Sequence, residues 1–162
     1  MQTIEETEAL KILADVIKIP SVNDHELAVA KYLQALLRRY GITAELNTVT
    51  GDRANLVAEI GSGQPVLAVS GHMDVVAAGD RDAWDTDPFT LTEKSGLLFG
   101  RGVTDMKAGL VALIVAMINM QQQGLPKRGT IRLLATMGEE VGEAGSAAFY
   151  QQGMMQDAAG LL

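Results

Sequence analysis

The sequence predicts a layered α/β domain with a largely parallel central sheet. Three observations predict it: helical and strand-like periodicities alternate along the chain, the run Val66-Leu67-Ala68-Val69 is continuously apolar as in a strand buried on both faces, and the acidic and imidazole clusters fall near predicted element ends. The 162 residues suffice for one domain and not for two full-sized ones. With 48% hydrophobic and 20% charged residues, the chain can offset its conformational entropy by burying a core.

From Ile4 to Ile19, the residues Leu10, Ile12, Leu13, Val16, Ile17 and Ile19 recur roughly at helical spacing, with Lys11, Asp15 and Lys18 between them, and Pro20 stops the pattern. A second helix is expected from Asp24 to about Tyr40, with Asn23 as N-cap, Glu26 as its capping-box partner and Gly41 as the stop. Its apolar stripe is Leu27, Val29, Ala30, Leu33, Leu36 and Leu37. Three strands follow, Thr43 to Val49, Asn55 to Ile60 and Pro65 to Ser70, separated by the turn signals Gly51-Asp52 and Gly61-Ser62-Gly63. The polar stretch Ala77 to Lys94 holds the only tryptophan, Trp84, and reads as a loop leading into a short hairpin that ends near Phe99. A long apolar helix from about Met106 to Gln122, a strand from Thr130 to Ala135, a helix beginning near Ala144 and an apolar run at Ala158 to Leu162 complete the order. No repeat, low-complexity segment or linker interrupts it, so residues 1–162 read as one unit.

The formal net charge is −7, and basic residues such as Lys18, Arg38, Arg39, Arg101, Lys107, Lys127 and Arg128 are scattered, so no positive stripe is available for a nucleic-acid partner. Without cysteine, neither a disulfide framework nor a thiolate zinc site can form, and any metal must be held by histidine and carboxylates; the absence also fits a reducing cytoplasm. Met1 to Glu8 carries three glutamates and no apolar core, unlike a secretory signal. The apolar stretch Ala108 to Met120 contains Gly109 and Asn119, is too short for a bilayer and reads as a buried helix, so no membrane partner is expected.

Three clusters carry the chemistry. The first, Ser70-Gly71-His72-Met73-Asp74, directly follows the buried strand: His72 can bind a metal through one ring nitrogen while Asp74 accepts the other N–H, although an isolated His-x-Asp more often just solvates a strand end. The second, Gly100-Arg101-Gly102-Val103-Thr104-Asp105-Met106-Lys107, opens the long helix, where Asp105 can cap the helix or bridge two cations. The third, Gly138-Glu139-Glu140, follows a strand; adjacent glutamates there form either a solvated turn or a ligand beside a general base. His25 fits a solvated helix end, and Met106, Met117 and Met120 fit core fillers.

Taken together, the motifs Ser70-Gly71-His72-Met73-Asp74-Val75-Val76, Trp84 with Asp87-Pro88-Phe89, Gly100-Arg101-Gly102 with Asp105-Met106-Lys107 and Gly109, and Glu139-Glu140 with Gly142 resemble the two-metal amidohydrolases and peptidases. That family includes succinyl-diaminopimelate desuccinylase, acetylornithine deacetylase, aminoacylase and glutamate carboxypeptidases. The resemblance implies an αβα catalytic domain and hydrolysis of an amide in a small N-acyl amino acid by a metal-activated water. It implies two zinc ions, with cobalt or manganese as alternatives. His72 would bind one metal, Asp105 bridge both, Glu140 bind the other, Glu139 act as general base and acid, and Asp74 orient His72. It also implies a cis peptide at Asp105-Met106, a cytoplasmic enzyme of amino-acid biosynthesis and a homodimer at full length. The desuccinylase is the leading expectation, with a deacetylase or dipeptidase as alternative.

Family members carry a further carboxylate ligand just beyond the strand that here begins near Ala158, then an inserted dimerisation domain and a last histidine ligand. The chain reaches Leu162 and is therefore expected to be the N-terminal portion of a truncated catalytic domain, inactive by itself. The rival from another class is a non-catalytic fragment. A nucleotide-binding module is disfavoured because no Gly-x-Gly-x-x-Gly or phosphate-loop lysine motif is present.

Overall fold

A computed structural model describes residues 3–162, so Met1 and Gln2 of the acidic leader lie outside the described residues. The chain opens with two amphipathic helices. Helix α1 (Glu6–Ile17) buries Ile12, Leu13, Val16 and Ile17, and α2 (Leu27–Arg39) buries Val29, Ala30, Leu33, Leu36 and Leu37. The expected capping box at Asn23 and Glu26 does not form. Helix α2 starts at Leu27 without a side-chain cap, and both oxygens of the fully buried Glu26 carboxylate accept from Arg53, at 3.1 and 3.3 Å. Losing such a cap costs about 1 kcal/mol, which is outweighed by burying the α2 stripe at about 1.5–3 kcal/mol for each large apolar side chain.

Strands β1 (Ala44–Thr50), β2 (Arg53–Ser62) and β3 (Val66–His72) follow, then a hairpin of β4 (Thr92–Lys94) and β5 (Leu97–Phe99). Helix α3 (Ala108–Gln122), β6 (Gly129–Thr136), α4 (Ala144–Gln151) and β7 (Ala158–Leu161) complete the order. The main sheet runs β1-β2-β6-β3-β7. Its β6-β3-β7 half is parallel, as expected from the crossovers; β1 and β2 join it antiparallel, because the short turn between them makes a hairpin.

Alternation along the strands sends their side chains to two layers. Leu56, Ala58, Val69, Leu133 and Ala135 pack under α1, α2 and α3, while Ala68 and Leu134 pack with Phe149 of α4 on the other face. Within the apolar run of β3, Leu67 is the exception: it is exposed, next to the short strand β7. The helical run Val103–Gln122 spans 20 residues, long and apolar enough by length and composition to cross a membrane, which corrects the expectation of too short a stretch. It is kinked at Asp105 and Met106, and Leu110, Val111, Ile114, Met117 and Ile118 are buried against the rest of the fold.

Candidate metal centre

The parallel pairing of β3 with β6 places His72 directly beside Thr136, both at the C-terminal ends of their strands. Met73 N–H donates to the Thr136 carbonyl at 2.8 Å, so the chain segments leaving the two strands stay side by side. One carries Asp74 and the other Glu139 and Glu140. The third contributor, Asp105, arrives from the loop before α3, through a cis peptide at Asp105-Met106 as expected. Among the described residues, the ligand atoms of His72, Asp105 and Glu140 lie within 4.8 Å of one another. The three residues expected to hold metal therefore converge.

His72 is buried. Its Nε2 lies 3.0 Å from Asp105 Oδ1 and 3.8 Å from Glu139 Oε2, while Nδ1 lies 3.0 Å from the Asp74 carbonyl and 3.5 Å from Asp74 Oδ1. The nearer partner of Nδ1 is thus the backbone of Asp74 rather than its carboxylate. That carboxylate also holds the glutamate segment, since Oδ1 accepts from the Glu139 N–H at 3.1 Å and Oδ2 from the Glu140 N–H at 3.0 Å. Asp74 is fully buried, and its carboxylate links the glutamate segment to the imidazole, whose Nδ1 is 3.5 Å away. Asp105 does not cap α3: its side chain is 74% exposed and turned to His72.

The electrostatics fit a cation. Burial alone would push the His72 imidazole down, but the Asp74 and Asp105 carboxylates outweigh it and raise the group to about 9. Burial also works against Asp74 ionisation, yet hydrogen bonds from His72 and from the Glu140 and Glu139 amides hold it below the ordinary carboxylate range. Glu140 is pushed upward by burial and by the negative charge of Asp105. The His72–Asp105 contact thus joins two of the residues expected to hold metal. One imidazole with carboxylates and no thiolate is a donor set suited to zinc, cobalt or manganese.

The cleft around these groups measures ≈ 380 Å³ and is lined by Ser70, Thr136, Glu139, Glu143 and Ser146 besides His72 and Asp105. Sequence reasoning passed over Thr136, Glu143 and Ser146; the pairing of Thr136 with His72 needed the strand register, and Glu143 and Ser146 needed the start of α4. A larger hollow of ≈ 500 Å³, between α2 and the start of β1, contains no carboxylate or imidazole in its lining. His25 stands apart from the centre, exposed, with Nδ1 3.7 Å from Asp52 Oδ2.

A sequence profile of peptidase family M20/M25/M40 matches residues 68–161, the stretch that supplies every residue of this centre. The chain belongs to peptidase family M20/M25/M40. All 162 residues are 52% identical to 40% of the length of a probable succinyl-diaminopimelate desuccinylase from Staphylococcus epidermidis, and 48% identical to an equal share of its counterpart from Staphylococcus aureus. The M20 fold is also seen in a metallo-carboxypeptidase from Sulfolobus solfataricus: the structures agree with a TM-score of 0.85 over 98% of this chain and 37% of the other, at 22% sequence identity. The chain thus spans about 40% of the length of the curated relatives it matches.

Proposed function

We propose that the chain is the N-terminal portion of the catalytic domain of a two-metal hydrolase that cleaves an amide bond in an N-acyl amino acid, with N-succinyl-diaminopimelate as the leading substrate. The convergence of His72, Asp105 and Glu140 beside the exposed carboxylate of Glu139 carries the reading. The two staphylococcal relatives support the choice of substrate; N-acetylornithine and dipeptides are the alternatives.

His72 and Glu140 would each hold one of two cations, zinc foremost, and Asp105 both. When bound, the cations supply a polarised acyl carbonyl and a water of lowered pKa. Glu139 would serve as the base that accepts a proton from the attacking water and as the acid that returns it to the departing amine. Asp74 keeps the His72 ring turned through its carbonyl and the Glu139 and Glu140 backbone fixed through its carboxylate. The acidic composition, without a basic stripe, supports a small-molecule substrate rather than nucleic acid or a membrane, and the absence of cysteine supports a cytoplasmic setting. The family resemblance supports a homodimer at full length.

The test compares zinc-dependent release of succinate from N-succinyl-diaminopimelate with release of acetate from N-acetylornithine, in this chain and in the polypeptide at the length of its relatives. Hydrolysis of the succinyl substrate by the longer polypeptide, abolished by Glu139→Gln, is the expected result. A metal-loaded longer polypeptide that hydrolyses neither substrate nor a dipeptide would favour the non-catalytic fragment instead.

A further inference from the structure

Lys107 is fully buried, yet among the described residues its ammonium meets only backbone oxygens: it donates to the Val16 carbonyl at 3.0 Å and the Ile19 carbonyl at 2.7 Å, where α1 ends. A cation at a helix C-terminus meets the orphan carbonyls and the negative end of the helix dipole. The same Ile19 carbonyl accepts from the Ser21 N–H at 2.8 Å. Two residues along, the chain grips the other side of the metal centre. Ser21 Oγ donates to the Met73 carbonyl at 2.7 Å, the Val75 N–H donates to the Ser21 carbonyl at 3.0 Å, and the Asn23 N–H donates to the Val75 carbonyl at 3.3 Å. The ends of the bracket also touch: a Cβ on Gly102 would stand 2.6 Å from Val75 Cγ1 and 3.2 Å from Lys107 Cδ, so the three chains pass one another with no room for a side chain.

This path meets a need that the sheet does not. Strand register fixes His72 against the segment carrying Glu139 and Glu140. Asp105 lies outside the sheet; among the described residues its side chain meets only His72, by the contact that a cation would replace, and beside it Met106 Sδ accepts from the His72 N–H at 3.2 Å. We infer that the segment Ile19 to Asn23 and Lys107 form a bracket that sets the separation of His72 and Asp105, with Lys107 and Ser21 as positioning residues for the centre. The purpose of the bracket rests on the metal-centre reading; its existence does not.

The experiment therefore has one readout with metal and one without. Lys107→Met keeps the apolar stem and removes the donors, and Ser21→Ala removes the Oγ donor. Cobalt(II) affinity and visible spectrum are followed by titration, and amide hydrogen exchange is followed in the metal-free chain. The expected result for Lys107→Met is a roughly 10- to 100-fold loss of cobalt affinity, the range typical of residues behind a ligand, with faster exchange at the Val75 amide and unchanged exchange at Leu133 in the central strand. Ser21→Ala changes both in the same direction by less. Phe149→Leu, on the opposite face of the sheet, loses stability without moving either readout. Unchanged affinity and unchanged Val75 exchange in both bracket variants, or an equal change in Phe149→Leu, would overturn the inference. If Lys107→Met does not fold, Ser21→Ala decides alone. If the polypeptide at the length of its relatives binds no cobalt, the metal-centre reading fails while Val75 exchange still decides the bracket.

Discussion

Asp105 Oδ1 lies 3.0 Å from Nε2 of His72, the ring nitrogen that a cation would need. In the metal-free chain that contact is a hydrogen bond to a protonated imidazole, since His72 is raised to about 9. A cation must displace this proton. Cation affinity is therefore expected to rise up to about tenfold per pH unit below about pH 9 and to level off above it. Calorimetry in buffers of different ionisation enthalpy would register release of about one proton near neutral pH; a pH-independent affinity would refute the assignment of His72.

The same proton sets the stability of the metal-free chain. A folded-state pKa above the unfolded value of about 6.5 means that the folded protein binds the proton more tightly. The contribution is fully present below that value and is lost as pH rises through about 9. On the order of 3 kcal/mol is at stake, and urea midpoints measured across the window should fall as pH rises.

Glu139 and Glu140 should separate by role. Glu140→Gln removes the charge of a proposed ligand and is expected to lower cation affinity about tenfold or more. Glu139→Gln should leave affinity nearly unchanged and remove most turnover wherever turnover is present, because the amide keeps the shape but cannot act as base. Equal loss of metal in both variants would show the division to be wrong.

Asp74→Ala would leave the part-buried amides of Glu139 and Glu140 without their acceptor, while His72 Nδ1 would keep the carbonyl of residue 74. Losing a buried, charged acceptor of this kind costs roughly 3 kcal/mol, measurable as a shift of the urea midpoint. Gly145→Ala tests the neighbouring turn: the added Cβ would stand 2.5 Å from both Asn55 Oδ1 and the Met137 carbonyl. Overpacking of this type costs about 1–3 kcal/mol. Because Met137 leads directly to Gly138 and Glu139, cation affinity should fall with it.

On the proposed reading, the centre would give each of two cations one terminal protein ligand and a shared aspartate, fewer than the about three protein ligands of a catalytic zinc site. Calorimetric titration of the 162-residue chain with zinc is expected to show weak binding rather than two tight sites. Two tight zinc ions with full hydrolytic turnover would contradict it.

Much of this was legible in the sequence because the informative signals are local. The apolar stripe of α2, the strand before His72 and the glutamate pair after β6 each follow from spacing and residue type, and the elements fall within a few residues of where the periodicity puts them. What stayed hidden depends on partners distant in the chain. Glu26 has the position of a capping residue, but Arg53 takes its carboxylate. Lys107 stands in the sequence as one of several scattered basic residues, yet it is buried against the carbonyls of Val16 and Ile19. The contacts of Asp74 with the Glu139 and Glu140 amides span 65 and 66 residues, a distance across which periodicity carries no information.

Between Val75, bridged in parallel to Val22, and Gly102, packed against Val75 and Lys107, the chain makes an excursion that leaves and re-enters the fold at nearly one place. Most of its residues are exposed, and the Arg101 guanidinium stacking on Trp84 at 5.3 Å closes it upon itself. Such a loop with abutting ends can lengthen, shorten or be exchanged at small entropic cost without shifting His72 or Asp105. It is the natural place to graft a new specificity onto an unchanged metal centre.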